Sequence, residues 1–182
     1  MSDYAELLGL YLGDGHLSAM PRTWRLRLYL DSRYAEVVAE SKALLDRSFG
    51  GNSVGTDLRH QGRMTVLRVY SSHLPCLFPQ HGPGKKHERP IILEQWQQQA
   101  IDASPWRFLR GCIRSDGCSF LNRTGPYVYL SYEFSNRSSD ILDLFGRTCE
   151  SVGVEYRRYW KAIRVYRRPS VALIEANVGI KR

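Results

Sequence analysis

Apolar and polar positions alternate along "WRLRLYL" (24–30): Trp24, Leu26, Leu28 and Leu30 take one side, and Arg25, Arg27 and Tyr29 the other. A period of two predicts a β-strand with one buried and one cationic face. "YVYLSYEF" (127–134) repeats the pattern, with Val128, Leu130, Tyr132 and Phe134 opposing Tyr127, Tyr129, Ser131 and Glu133. A helix-patterned segment follows each strand. "DSRYAEVVAESKALLDRSFGG" offers Asp31 or Ser32 as an N-cap and closes at Gly50. "SNRSSDILDLFGRTCESVG" opens at Ser138 and closes at Gly153, which follows the usual placing of Ser or Asp before a helix and Gly after it. Two more strand-like stretches come next in each half, the later pair being "LRVY" (67–70) and "IRVY" (163–166). Short apolar segments, "SHLPCLF" and "PSVALIE", trail them.

The chain is therefore written twice, and each copy opens on the same kind of stretch. "LLGLYLGDG" (7–15) and "LRGCIRSDG" (109–117) align Gly9 with Gly111, Asp14 with Asp116 and Gly15 with Gly117, 102 positions apart. A loop holding glycine or proline separates each from its alternating strand. The offset falls to 96 at the last strand pair, so the second copy is more compact there. Each unit reads helix-strand-strand-helix-strand-strand-helix, which predicts an α+β pseudo-twofold tandem repeat. The units span 1–78 and 105–182. Residues 79–104 join them through a Pro- and Gly-rich loop, "PQHGPGKKHERP" (79–90), and a connecting helix, "IILEQWQQQAIDAS", halted at Ser104-Pro105.

Composition narrows the class. Of the 182 residues 43% are hydrophobic, enough for a packed interior rather than a disordered chain. The net charge of +8 is spread along the sequence, which predicts a basic face and a polyanionic partner, nucleic acid first. Cys76, Cys112, Cys118 and Cys149 form no CxxC pair, and His73, His81 and His87 lack ligand spacing, so neither a zinc site nor a disulfide framework is expected. Asp3 and Glu6 interrupt any signal peptide, and no run approaches the ~20 apolar residues of a membrane span. A soluble, cytoplasmic, DNA- or nucleoid-associated protein with reduced thiols and no membrane partner is expected.

The repeated acid asks for an explanation. A carboxylate at the C-terminal end of a helix sits at the negative pole of the backbone dipole, and two such acids brought together also repel. A divalent cation reverses the sign of both effects, because carboxylates and carbonyl ends then converge on positive charge. Gly9 and Gly111 would let the two helices approach closely, while Gly15 and Gly117 would adopt the left-handed turn that stops each helix. The expected metal ligands are Asp14 and Asp116, with Gly13 and Ser115 beside them.

These two stretches resemble the signature of the LAGLIDADG homing endonucleases, read as Leu-x-Gly-x-x-x-(small)-Asp-Gly, and the repeat order is similar to that family's unit across nearly the whole chain. The signature's earlier acid is Leu12 here and Arg114 in the second copy, and Arg110 and Arg114 are expected to point outward or toward phosphate. The resemblance implies a small, monomeric, two-repeat form with paired signature helices and two saddle-shaped antiparallel sheets straddling double-stranded DNA. It implies that Asp14 and Asp116 bind Mg2+ (or Mn2+, with Ca2+ substituting without supporting cleavage) and position water for phosphodiester hydrolysis. Cutting would run across the minor groove and leave short 3′ overhangs at a long, partly asymmetric site. A lysine near the site follows the third helix, which points to Lys86, with Lys85 as fallback, and to Lys181 in the second copy. His16 reads as an incidental neighbour, since its counterpart is Cys118.

Sheet positions expected to meet DNA are Arg25, Arg27, Tyr29, Arg59, Gln61, Arg63 and Arg68 in the first half. In the second they are Tyr127, Tyr129, Glu133, Arg157, Tyr159, Lys161 and Arg164. A site-specific endonuclease is the leading expectation; a non-cleaving DNA-binding regulator and an RNA maturase are the alternatives. The Met-Ser start and Lys-Arg end suggest a free-standing protein rather than an intein.

Overall fold

The computed structural model describes residues 2–181, and its two halves repeat one order of elements. The first holds α1 (Ser2–Asp14), β1 (Gly15–Ala19), β2 (Trp24–Asp31), α2 (Ala35–Ser48), β3 (Gly55–Arg59), β4 (Met64–Ser71) and α3 (Leu74–Leu77). A single 3-10 turn (Lys86–Glu88) and α4 (Gln95–Ala103) lead to the second. It holds α5 (Pro105–Asp116), β5 (Gly117–Thr124), β6 (Tyr127–Ser135), α6 (Ser139–Ser151), β7 (Arg157–Tyr159), β8 (Ala162–Val165) and α7 (Arg168–Asn177). Each half builds one four-stranded antiparallel sheet, ordered β1-β2-β4-β3 and β5-β6-β8-β7. The α+β tandem repeat read from the sequence is the fold.

Register explains the two-sided strands. Leu26 pairs with Leu17 and Val69, and Leu28 with Leu67, all buried against the helices. Arg27, between them, pairs with His16 and Arg68 on the opposite face. In the second sheet Tyr132 and Phe134 face the core opposite Val165 and Ile163, while Glu133 shares the outer face with Cys118 and Arg164. A one-residue slip would exchange these faces, so burial of the leucines fixes where the arginines point.

α1 and α5 pack side by side at the centre. A Cβ on Gly9 would stand 2.6 Å from the Phe108 carbonyl oxygen and 2.8 Å from the Cys112 nitrogen, and one on Gly111 would overlap the Glu6 carbonyl. Backbone therefore touches backbone at both glycines, as their position predicts.

Several expectations are corrected. Gly15 and Gly117 are not left-handed: Gly117 has φ −94° and ψ 161°, and neither is among the positive-φ residues. The helices instead pass straight into β1 and β5, so the stretches after each motif are strands as well as loops. A Cβ at either glycine would lie 2.6 Å from the Cα of Tyr11 or Ile113, which is why no side chain fits. The N-cap of α2 is Tyr34, not Asp31 or Ser32, because Ser32 bonds the Thr65 hydroxyl (2.8 Å) and Asp31 is taken by Arg33. Phe49 is its C-cap and Gly50 the residue after it, as Val152 and Gly153 are for α6. α4 begins at Gln95, four residues into the expected connecting helix. Ser138 caps α6 as expected, its hydroxyl accepting from the Ile141 N–H at 3.4 Å, and Gly153 follows with φ +73°. The four cysteines are free thiols, and among the described residues no helix is long and apolar enough to cross a membrane.

Candidate active site and nucleic-acid interface

The packed glycines bring the ends of α1 and α5 together. The Asp116 carboxylate lies 3.2 Å from where a Gly13 Cβ would stand, one residue before Asp14. Asp116 Oδ2 accepts a 2.7 Å hydrogen bond from Asn136 Nδ2, whereas among the described residues no donor reaches the Asp14 carboxylate. Burial, then the charge of Asp116, pushes the Asp14 carboxyl up to about 7 in spite of two nearby lysines. Burial raises Asp116 as well, and Lys86, Asn136 and Lys181 temper the rise.

Both lysines singled out in the sequence reach this place, and they do so in the same way. Lys86 Nζ donates to the carbonyls of Tyr11, Gly13 (3.0 Å) and Gly15 (2.9 Å). Lys181 Nζ donates to those of Ser115 and Gly117 (3.3 Å). Each ammonium thus satisfies helix-end carbonyls that have no intrahelical donor, at the pole where positive charge is favoured. The charges also act crosswise: Lys181 acts more strongly than Lys86 on Asp14, and Lys86 more strongly than Lys181 on Asp116. Burial brings Lys86 down to about 8 and lowers Lys181. Lys85, the fallback, is exposed and pairs with Glu88 (3.3 Å).

Two cavities open from the acids. One of about 560 Å³ is lined by Asp116, Lys86, His16, Asn136 and Arg137, and one of about 490 Å³ by Asp14, Lys181, Tyr29, His60 and Arg63. His16 lies on the sheet face opposite Arg27 and borders the first cavity. Among the described residues no cluster of three or more His, Cys, Asp or Glu exists. The donor set is two carboxylates with the Gly13 and Ser115 carbonyls, each of which keeps a second lone pair after accepting from its lysine. Hard oxygen donors of this kind suit Mg2+, which usually takes one or two carboxylates and completes its shell with water and phosphate oxygens. A cation between the two acids would offset both the burial of Asp14 and the neighbouring Asp116 charge, so this oxygen donor set fits a divalent cation.

The predicted sheet residues divide three ways. Arg25, Arg27, Tyr29, Arg59 and Arg68 share one face of the first sheet, and Tyr127, Tyr129, Glu133, Arg157, Tyr159 and Arg164 share one face of the second. Gln61, Arg63 and Lys161 do not: they sit in the β3–β4 and β7–β8 turns. Among the face residues, Arg68 is tied to Asp57 and Arg164 to Glu133. Arg27 donates to Ser18 Oγ (2.9 Å), yet its Nε and that of Arg25 are buried with no partner among the described residues. Buried N–H groups short of acceptors call for a ligand that supplies them.

Arg110 and Arg114 ion-pair with Glu40, at 2.7 Å and 3.2 Å, and bond the chain beyond α7, and Arg114 also lines the cavity that opens from Asp14. Asn136 was not singled out in the sequence; its only signal there is a polar residue directly after the second strand, as Ser32 is in the first half.

No family model matches this chain, and no curated protein sequence matches it. Solved structures do. The chain is similar to I-DmoI in complex with DNA and Mn, at 14% identity and TM-score 0.61, covering 98% of this chain and 96% of that one. It is similar to the homing endonuclease I-WcaI bound to its DNA recognition sequence, at 12% identity and TM-score 0.57, covering 98% and 82%. It is similar as well to the N-terminal LAGLIDADG domain of DUF199/WhiA, at 14% identity and TM-score 0.59, covering 100% and 82%. With its paired glycine-bearing helices, two four-stranded sheets and acid at each helix end, this chain has the LAGLIDADG fold.

Proposed function

We propose that this chain is a metal-dependent, site-specific endonuclease of double-stranded DNA. The observation that carries the reading is the meeting of Asp14 and Asp116 at the ends of the packed helices, each beside a half-buried lysine and beneath an arginine-bearing sheet. A scaffold that only bound DNA would gain nothing from two acids held at an electrostatic cost. A divalent cation bound there would neutralise charge on the scissile phosphate and lower the pKa of an attacking water. The chain's own part would be to hold such ions through the shared Asp14 and Asp116 and the Gly13 and Ser115 carbonyls, and to stabilise charge on one scissile phosphate through Lys86 and on the other through Lys181. The solved DNA complexes with Mn, Ca and Mg on this fold agree with a divalent ion and a DNA partner.

The two faces differ in chemistry. The first offers Arg25, Arg27 and Arg59, which suit guanine O6 and N7; the second sets Phe120, Tyr127, Tyr129 and Asn122, which suit thymine methyl groups and adenine, beside Arg157. The two halves of the target would therefore differ in sequence. Arg27→Ala should cost about 1–3 kcal/mol in binding and relax preference at one base pair, as read by competition against single-base variants. Equal loss on every sequence would make Arg27 a phosphate contact.

Lys86→Met should slow cleavage by about 10²-fold with binding nearly intact, measured under single turnover. An undiminished rate would remove Lys86 from the chemistry. The function itself is tested by incubating the protein with a randomised duplex library and Mg2+ and sequencing the ends. Discrete staggered ends support the endonuclease; specific retention of uncut DNA supports the regulator.

A further inference from the structure

Lys181 stands beyond α7, on a segment that no strand or helix of its own holds in place. Three successive carbonyls of that segment are nevertheless bonded. Val178 O accepts from Arg110 Nη1 at 3.1 Å, Gly179 O from the Tyr132 hydroxyl at 3.5 Å, and Ile180 O from Arg114 Nη1 at 3.0 Å. The arginines are themselves braced by the other repeat. Arg110 Nη2 meets Glu40 Oε1 at 2.7 Å and its Nε meets Glu6 Oε1 at 3.3 Å, while Arg114 Nη2 meets Glu40 Oε2 at 3.2 Å. The Arg114 side chain is only 7% exposed, so little water competes for these bonds.

The first repeat reaches the same end with a different residue. Positions 8 and 12, which match Arg110 and Arg114, are leucines packed in the core. There Arg89 bonds the carbonyls of Gln80 (3.3 Å), Pro83 (3.0 Å) and Gly84 (3.1 Å) in the segment that leads into Lys86. Charged residues inside a packed helix pair carry a desolvation cost that apolar ones avoid, so their presence at these two places wants a compensating role.

We infer that Arg110 and Arg114 are positioning residues, a guanidinium clamp that fixes the segment beyond α7 and thereby holds the Lys181 ammonium at the Asp14 end of the site. Arg89 does the same for Lys86. The two sites of the pseudo-twofold pair are then held independently, and loosening one clamp disables one site. This strand-specific consequence rests on the endonuclease reading; the placement of the lysine does not.

The test has two arms on the full chain. In the first, limiting acetic anhydride is applied and each lysine's acetylation is read by mass spectrometry. Arg114→Met should raise acetylation of Lys181 by about tenfold or more through local opening, leaving Lys86 unchanged, and Arg89→Met should do the reverse. Because Arg114→Met leaves Glu40 Oε2 without its ion-pair partner, while Arg110 keeps Oε1, the variant is also made with Glu40→Gln, and thermal unfolding confirms that each is folded. Unchanged Lys181 labelling in both backgrounds overturns the inference. In the second arm, cleavage of a labelled target should pass from a double-strand cut to a nick in one strand for Arg114→Met, and in the opposite strand for Arg89→Met. Equal slowing on both strands in both variants overturns independent clamping. A wild-type protein that cuts no duplex sinks the endonuclease reading, and the labelling arm then decides the clamp by itself.

Discussion

Replacing Asp14 with asparagine is expected to abolish cleavage while making the metal-free protein more stable at pH 8. The first effect follows from the loss of a ligand with no ready substitute, since among the described residues no group of three or more His, Cys, Asp or Glu could hold the ion. A fall on the order of 10³-fold or more is expected, with DNA affinity in Ca2+ or without metal largely kept. The second effect follows from linkage. The Asp14 carboxyl rises from 3.8 to about 7 on folding, so between those values the native state holds a proton that the unfolded chain has lost. Stability therefore falls as pH rises through that window; the penalty is absent below about pH 4 and complete above about pH 7. At 1.36 kcal/mol per unit its ceiling is of order 4 kcal/mol. Thermal unfolding of wild type and Asp14→Asn at pH 4 and pH 8 reads it: the variant should gain at pH 8 only, and Mg2+ should narrow the gap by stabilising the wild type. Equal stability at both pH values would mean that Asp14 carries no electrostatic strain.

The second large effect is expected at the seam. Gly111→Ala places a methyl group where the Glu6 carbonyl stands and about 3.0 Å from the Leu10 nitrogen. Neither obstacle is a side chain that can swing away, so α1 and α5 must separate. Separation loosens the shared core around Leu8, Leu12, Phe108 and Cys112 and moves Asp14 from Asp116. A loss of about 3 kcal/mol or more is expected, at or above the upper range for overpacked cores, together with loss of cleavage. Gly62→Ala is the control for stability, because nothing lies within 4 Å of a Cβ there; its φ of +83° still carries a modest penalty. Denaturant unfolding of the three proteins ranks them, and a Gly111→Ala protein no weaker than the control would refute the close approach.

Much of this arrangement was legible in the sequence because single residue types betray it. Gly9 and Gly111 could be read as points of backbone approach, since few other demands explain glycine on an apolar helix face. The acids stand out because their place is unfavourable without a cation, whereas Lys86 and Lys181 are reached only through the resemblance to the LAGLIDADG homing endonucleases. The strand β5 was not legible: "GCSFLNRT" lacks alternation because its hairpin extends past β8, which pairs only with Tyr132–Ser135, leaving Leu121 69% exposed. The left-handed turns assigned to Gly15 and Gly117 were wrong for a related reason. A glycine needed because a backbone lies too close looks the same in sequence as one needed for positive φ. Asn136 and the arginine clamps depend on residues 20 to 70 positions away meeting in space, which spacing along the chain does not encode.

Folding forces two carboxylates together at the partly buried ends of α1 and α5. Carbon-13 NMR titration of the aspartate side chains, with Asp14→Asn and Asp116→Asn to assign them, addresses it directly. Without metal, Asp14 should titrate near 7, and saturating Mg2+ with a DNA duplex should carry it well below that value. An Asp14 that titrates near 4 and ignores Mg2+ would contradict the account.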